Sequence, residues 1–323
     1  MKHIFLILAS VLVLVLIVSC TTSDQIEIAL IPKGTDILFW KGVHAGGEKA
    51  AQELGIKVIW QGPQKESDRE QQINIVQNFI SRGVDAIVLA PLDETALIRP
   101  VQAAIKRNIP VVIIDSGLKG GGYASFIATD NYVSGQLAAE KLTEIIGVDG
   151  KVILVRFSEG SNSTGSREEG FLDWMKENAP GIRLLSTDQY AGVTMELALK
   201  TGQNLLNKYP QVDGIFCPNE STTFGLLRAL KTVGKAGKVA LVGFDYTDPI
   251  AEGIRAGDIA GVVVQDPFRM GYQGVNTAMA VLNGESVQQR VETDVVFVTA
   301  DNIDDPEIMS VTQPEIGKWL GEE

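Results

Sequence analysis

From residue 26 onward, short apolar runs rich in Val and Ile alternate with longer segments whose apolar residues recur every three or four positions. The runs predict strands at 26–31, 58–61, 86–90, 111–114 and 126–128. After a helix opening at Asn131 they predict a second set at 151–155, 184–187, 214–217, 239–243, 261–264 and 295–298. Val111-Val112-Ile113-Ile114 has no period-two alternation, as expected of a strand buried on both faces of a parallel sheet. The helical spacing is plain in Ile73, Val76, Phe79 and Ile80, and again in Leu97, Val101, Ala104 and Ile105. This is βαβα grammar, so the fold class is α/β with parallel sheets covered by helices. Gln77-Asn78-Phe79-Ile80 before Val84-Asp85-Ala86-Ile87 is echoed by Gln203-Asn204-Leu205-Leu206 before Val212-Asp213-Gly214-Ile215. The echo lies too far along the chain for a solenoid repeat and suits two similar lobes without a long linker.

The N-terminus does not follow this grammar. Lys2 precedes an uncharged apolar run from Ile4 to Val18, which reads as a signal peptide and is short for a spanning helix. Ile17-Val18-Ser19-Cys20, followed by polar residues, resembles a bacterial lipobox. That resemblance implies a leader at 1–19, lipid on Cys20 and a tether at 20–25. The alternatives are an uncleaved anchor helix, or an ordinary secretory signal with Cys20 incidental. All three export the domain.

A chain of 323 residues with 45% hydrophobic positions makes one large or two ordinary domains. Its 28 basic and 40 acidic residues leave a formal charge of −12, which argues against nucleic acid as a partner. Two cysteines and two histidines leave little for a disulfide framework or a zinc site. Once the leader is gone, His44 is the last histidine, inside an amphipathic segment at 39–50 where packing outweighs catalysis. Cys217 ends an apolar run and reads as a buried small hydrophobe. Gly120-Gly121-Gly122 lacks the spacing of a phosphate loop. The polar segment 159–166 has donors enough for an anion, but reads more simply as a loop with a helix cap. Asp301-Asn302-Ile303-Asp304-Asp305 reads as a solvated acidic turn rather than a calcium loop. No metal, cofactor or catalytic set is expected.

In parallel α/β sheets ligands sit beyond the carboxyl ends of strands. The residues there are Asp36, Phe39 and Trp40; Asp115 and Ser116; Arg167; Asn219 and Glu220; Asp245; and Gln265 with Asp266. Carboxylates and amides satisfy hydroxyls, and an aromatic face covers the C–H side of a sugar ring, so this set suits a polyhydroxylated small molecule. Each member also has a structural reading: a strand-end aspartate is often a helix cap, and Arg167 a solvated helix charge.

These residues carry a resemblance. Ile28-Ala29-Leu30-Ile31, Phe39-Trp40, Ala90-Pro91, Ile109-Pro110-Val111-Val112 with Asp115, Ala128-Thr129-Asp130-Asn131, Arg167 with Gly170-Phe171, Pro218-Asn219-Glu220, Val242-Gly243-Phe244-Asp245 and Gln265 resemble a periplasmic sugar-binding protein of the ribose-binding type. The likeness runs in order through nearly all of 26–300. It implies two Rossmann-like lobes joined by hinge crossings near Asp130, Gln265 and Glu292, which close on a ligand. The first lobe is then 26–130 with 266–291, and the second 131–265 with 292–323. It further implies that Phe39 and Trp40 stack on the ligand, and that Asp115, Arg167, Asn219, Asp245 and Gln265 bind its hydroxyls. Ile37, Ala90 and Ser116 stand where ribose binders carry two asparagines and an arginine. The expected ligand is therefore a monosaccharide or polyol other than ribose, with Asp36, Asp93, Ser116, Tyr190, Glu220 and Phe244 as further candidates for contacts.

The first functional reading is an exported, lipid-anchored, monomeric binding protein that hands a sugar to an ABC importer permease. A sensor partner of a chemoreceptor or histidine kinase reads the same closed surface, and a non-sugar solute fits the same fold. A hydrolase using Asp115 and Asp245 is disfavoured because most strand-end carboxylates are structural or ligand-binding. A repressor is disfavoured by export and by the lack of an N-terminal helix-turn-helix.

Overall fold

The computed structural model describes residues 25–322. The leader and Cys20 lie outside the described residues, and among these no helix is long and apolar enough to cross a membrane. Apolar runs pair into two six-stranded sheets. The first contains β1 (Glu27–Ile31), β2 (Lys57–Trp60), β3 (Ala86–Leu89), β4 (Val111–Ile114), β5 (Ser125–Thr129) and β11 (Arg290–Thr293), in the order β11-β5-β4-β3-β1-β2 with all pairs parallel. The second contains β6 (Lys151–Arg156), β7 (Arg183–Tyr190), β8 (Gly214–Phe216), β9 (Ala240–Phe244), β10 (Gly261–Gln265) and β12 (Val295–Val298), in the order β12-β10-β9-β8-β6-β7. Only β12 is antiparallel. The orders match strand for strand, which is the physical content of the sequence echo.

The helices are α1 (Leu38–Leu54), α2 (Arg69–Arg82), α3 (Ile98–Lys106), α4 (Asn131–Ile146), α5 (Asn162–Asn178), α6 (Met195–Lys208), α7 (Glu220–Thr232), α8 (Asp248–Arg255), α9 (Pro267–Leu282), α10 (Pro306–Thr312) and α11 (Ile316–Leu320). Successive strand residues face opposite layers: Ile28 and Leu30 pack under α1 and α9, while Ala29 and Ile31 pack under α2 and α3. The second sheet has the same two-sided core. In each lobe one helix pair meets backbone to backbone. A Cβ on Gly46 of α1 would strike the Phe268 carbonyl of α9, and one on Gly135 of α4 would strike the Arg167 carbonyl of α5.

The chain passes between sheets at Asp130, Asp266 and Asp294, each flanked by strands or helices of opposite lobes. Two of these aspartates cap the helix they start: Asp130 accepts from the Val133 amide at 3.0 Å, and Asp266 from the Arg269 amide at 2.8 Å. Asp294 pairs with Arg269 at 2.7 Å. The third passage therefore lies beyond the expected Glu292. Arg290–Thr293 forms an edge strand that its charged residues hid. Nor does 292–323 stay with the second lobe. α10 lies on β10, but α11 returns to α1, where the Lys49 ammonium sits 5.6 Å from the Trp319 ring and Lys41 pairs with Glu322 at 3.5 Å.

Candidate functional site

Both sheets present their carboxyl ends to a shared cleft, and the strand order of each reverses there, between β1 and β3 and between β6 and β8. Equivalent aspartates follow β4 and β9. Asp115 and Asp245 both have left-handed backbones, with φ of 60° and 68°, and each amide donates to the neighbouring strand, to Ile127 at 3.0 Å and to Val263 at 2.8 Å. Non-glycine residues hold this conformation only where surrounding structure over-determines it, and such strain gathers at binding sites.

A narrow cavity of about 30 Å3 lies between the lobes. From the first lobe it is lined by Lys33, Ile37, Phe39, Trp40, Glu66 and Asp115, from the second by Phe157, Ser161, Ser163, Thr164, Arg167, Asn219 and Asp245, and at the hinge by Gln265. The principal candidates, Phe39, Trp40, Asp115, Arg167, Asn219, Asp245 and Gln265, are all brought to this one space. Phe39 and Trp40 open α1 and meet edge to face, with centroids 4.9 Å apart. The Trp40 indole N–H donates to Glu66 Oε1 at 2.6 Å.

One ion pair lies inside the cavity, and the other charged groups there bond to neutral partners. Lys33 Nζ lies 2.6 Å from Asp115 Oδ2 and donates across the cleft to Ser163 Oγ at 2.9 Å. Arg167 donates to Asn131 Oδ1 and the Pro218 carbonyl, both at 2.8 Å, and its guanidinium lies 3.9 Å from the centre of the Phe244 ring. Burial pulls the Arg167 pKa down, opposed by Asp245 and Asp115. Asp245 accepts from Gln265 Nε2 at 2.8 Å, while burial pushes its pKa up. Burial raises Glu66 to about 7 against the pull of Lys33 and the Trp40 N–H. Two buried polar atoms, Ser161 Oγ and Gln265 Oε1, have no protein partner. Since buried polar groups are nearly always satisfied, they mark a wall built for a polar guest.

The further candidates do not line this space. Asp36 is exposed beside it. Asp93 turns away, its carboxylate accepting from the Thr95 and Ala96 amides and pairing with Arg69 at 2.8 Å. Ser116 Oγ accepts from the Ser163 amide at 3.1 Å and so joins the lobes. Tyr190 is 42% exposed in an outer groove, with the Arg156 guanidinium 5.8 Å from its ring centre. Phe244 lies behind Arg167, and Glu220 faces the start of α1. Strand-end position alone does not show which way a side chain turns.

Reasoning from sequence missed Lys33, Glu66, Phe157, Ser161, Ser163 and Thr164 as lining residues. Phe157 follows β6 directly and Lys33 lies two residues after β1, so both were within reach of the strand-end rule. The serines and threonine belong to the polar segment weighed as an anion loop. Its polar groups instead bond across the cleft: the Gly117 amide donates to Asn162 Oδ1 at 2.9 Å, Asn162 Nδ2 donates to Glu94 Oε2 at 3.2 Å, and the Glu94 amide donates to the Gly160 carbonyl at 3.0 Å. Gln72, buried in α2, holds the strand ends in place through the Pro32 and Ala90 carbonyls and the Leu92 amide, each at 2.8 Å.

Residues weighed for other chemistry have structural partners. His44 stacks on Trp60 at 4.5 Å, and Cys217 is buried, its thiol pKa pushed up by that burial. Asn302 closes its turn through the Thr299 amide and the Phe297 carbonyl, and Asp304 pairs with Arg255 at 2.7 Å.

The model of the periplasmic binding protein domain matches residues 28–286. The ribose import binding protein of Haemophilus influenzae is 31% identical over 295 residues, 90% of this chain and 98% of that protein. Among solved structures, a carbohydrate transporter solute-binding protein from Agrobacterium radiobacter, in complex with D-arabinose, superposes with a TM-score of 0.87 at 35% identity. It covers 90% of this chain and all of its own. An ABC transporter solute-binding protein from Agrobacterium vitis with bound D-fucose gives 0.85 at 38% identity, covering 88% and 99%. Such proteins bind solutes for transporters and are not enzymes. On the domain match, the relatives and the shared two-sheet cleft, the chain belongs to the periplasmic binding protein family, in its ribose-binding type.

Proposed function

We propose that this protein captures a neutral monosaccharide or polyol between its lobes outside the cytoplasm and delivers it to an ABC importer. The interlobe cavity carries the reading: aromatic faces from Phe39 and Trp40, carboxylates from both lobes, and two buried polar atoms without a protein partner. Both cations there are already committed, Lys33 to Asp115 and Ser163, Arg167 to Asn131 and Pro218. A sugar phosphate or sugar acid would face the three carboxyl groups of Glu66, Asp115 and Asp245 against the two cations. The D-arabinose and D-fucose held by similar proteins extend to this chain as candidates of the same chemical class.

Export follows from the leader, and lipid on Cys20 would hold the domain at the membrane as a monomer. A Cys20→Ala variant released from the membrane fraction would support the anchor, whereas one still sedimenting with membranes would refute it. Light scattering tests the monomer. The test of binding is a thermal-shift screen of the domain from residue 21 onward against pentoses, hexoses, polyols, sugar acids and amino acids, since a ligand of the folded state raises its melting temperature. A rise with a neutral sugar or polyol is expected. A rise only with amino acids or anions would overturn the assignment.

A further inference from the structure

The first turn of α1 carries Phe39 and Trp40, yet the residue before it, Ile37, has no side chain able to accept from the first amides. The acceptor comes from the other lobe. Glu220, at the start of α7, is 7% exposed, and its Oε2 accepts from the Phe39 amide at 3.3 Å. The backbone amide of Glu220 donates to Asp245 Oδ2 at 3.1 Å. One residue thus ties the aromatic helix of the first lobe to the strained aspartate of the second, while lying outside the cavity lining.

We propose that Glu220 is a positioning residue of the shut cleft, capping α1 from the opposite lobe so that lobe closure and placement of Phe39 and Trp40 are coupled. The proposal rests on the binding-protein reading of this cleft. A helix N-terminus leaves its first amides without partners, and the Glu220 carboxyl oxygen supplies an acceptor that Ile37 lacks. The contact spans separate lobes and is lost when they part.

The groups around Glu220 give the contact a pH signature. Burial pushes its pKa up to about 8; the like charges of Asp245 and Glu66 add to this, and the Phe39 and Leu38 amides oppose it. In the open cleft the carboxyl faces water and returns toward the ordinary carboxylate range. Closure therefore takes up a proton near neutrality, and the shut state is favoured below pH 8 and weakened as pH rises through 8. Glu66, raised to about 7, adds a separate lower step.

The test uses the mature protein with one dye on each lobe, at exposed positions 107 and 196, and single-molecule energy transfer with and without the sugar found by thermal shift. Glu220→Ala should reduce the closed population, raise the sugar off-rate about tenfold and speed hydrogen exchange at the Phe39 amide. Glu220→Gln keeps an acceptor oxygen and should hold the off-rate within about twofold, while losing the pH step near 8 and keeping the lower one. Exposed Glu252→Ala on α8 is the control. The proposal is overturned if Glu220→Ala changes closure and off-rate less than twofold, or if Glu220→Gln keeps the upper pH step. If no solute closes the cleft the binding reading fails, while sugar-free closure in Glu220→Ala still decides the cap. Lobes that stay open in every variant at every pH overturn both.

Discussion

Replacing Lys33 with Met separates pairing across the cleft from stability of the lobes. Lys33 is 4% exposed, and its ammonium joins Asp115 of its own lobe at 2.6 Å to Ser163 of the other at 2.9 Å. Met retains most of the volume and removes the charge, leaving the Asp115 carboxylate in a shut cavity without its counter-ion. Removing one partner of a buried pair costs about 3–5 kcal/mol, because the remaining charge stays desolvated. In the open cleft Asp115 can be rehydrated, so most of that cost falls on closure. At about 1.4 kcal/mol per tenfold, the lower end is a loss of roughly 100-fold in sugar affinity. Calorimetric titration of the wild type, Lys33→Met, Asp115→Asn and the double variant measures it. The double variant should lose less than the sum of the singles, with a coupling of about 2 kcal/mol or more, and urea midpoints without sugar should shift little. Additive losses, or a drop in sugar-free stability equal to the loss in affinity, would refute the reasoning.

Gly135→Ala should destabilise the second lobe by about 1–3 kcal/mol in urea unfolding, since its Cβ strikes the Arg167 carbonyl, and should weaken binding by displacing Arg167. Trp40→Phe keeps an aromatic face but frees Glu66 from its 2.6 Å donor; affinity should fall about tenfold while folding persists, as followed by titration and circular dichroism. Glu168, buried beside Arg156 and the Phe157 amide, is raised by that burial to about 7. Its folded pKa exceeds its unfolded value, so its contribution to stability is fully present below about pH 4.5 and is lost as pH rises through 7, by up to about 3 kcal/mol. Glu168→Gln, which stays neutral, should therefore gain stability relative to wild type between pH 5 and pH 8 in urea unfolding; an unchanged difference would contradict the shift.

The sheets were legible because parallel strands buried on both faces must be apolar throughout. Val111–Ile114 is apolar and buried at every position, whereas Val295–Val298, an antiparallel edge strand, showed itself by its run of Val and Phe alone. Arg290–Thr293 escaped because an edge strand exposed to water tolerates charge at alternate positions. The short final helices escaped because α11 is amphipathic only in relation to α1, a partner distant in sequence.

Strand-end position and family resemblance determined from sequence that Asp115, Arg167, Asn219, Asp245 and Gln265 stand near one opening. They did not determine direction. Asp93 and Asp115 both follow strands of the first sheet, yet one caps its own loop while the other, on a left-handed backbone, turns into the cavity. Nor did they determine what meets across the cleft, where Lys33 reaches Ser163 and Glu220 reaches Phe39. Hydrophobic periodicity records which face of an element is buried, a local property written in each segment. Which polar side chain meets which depends on backbone torsions and on the approach of two separately folded lobes, and only the tertiary structure decides that.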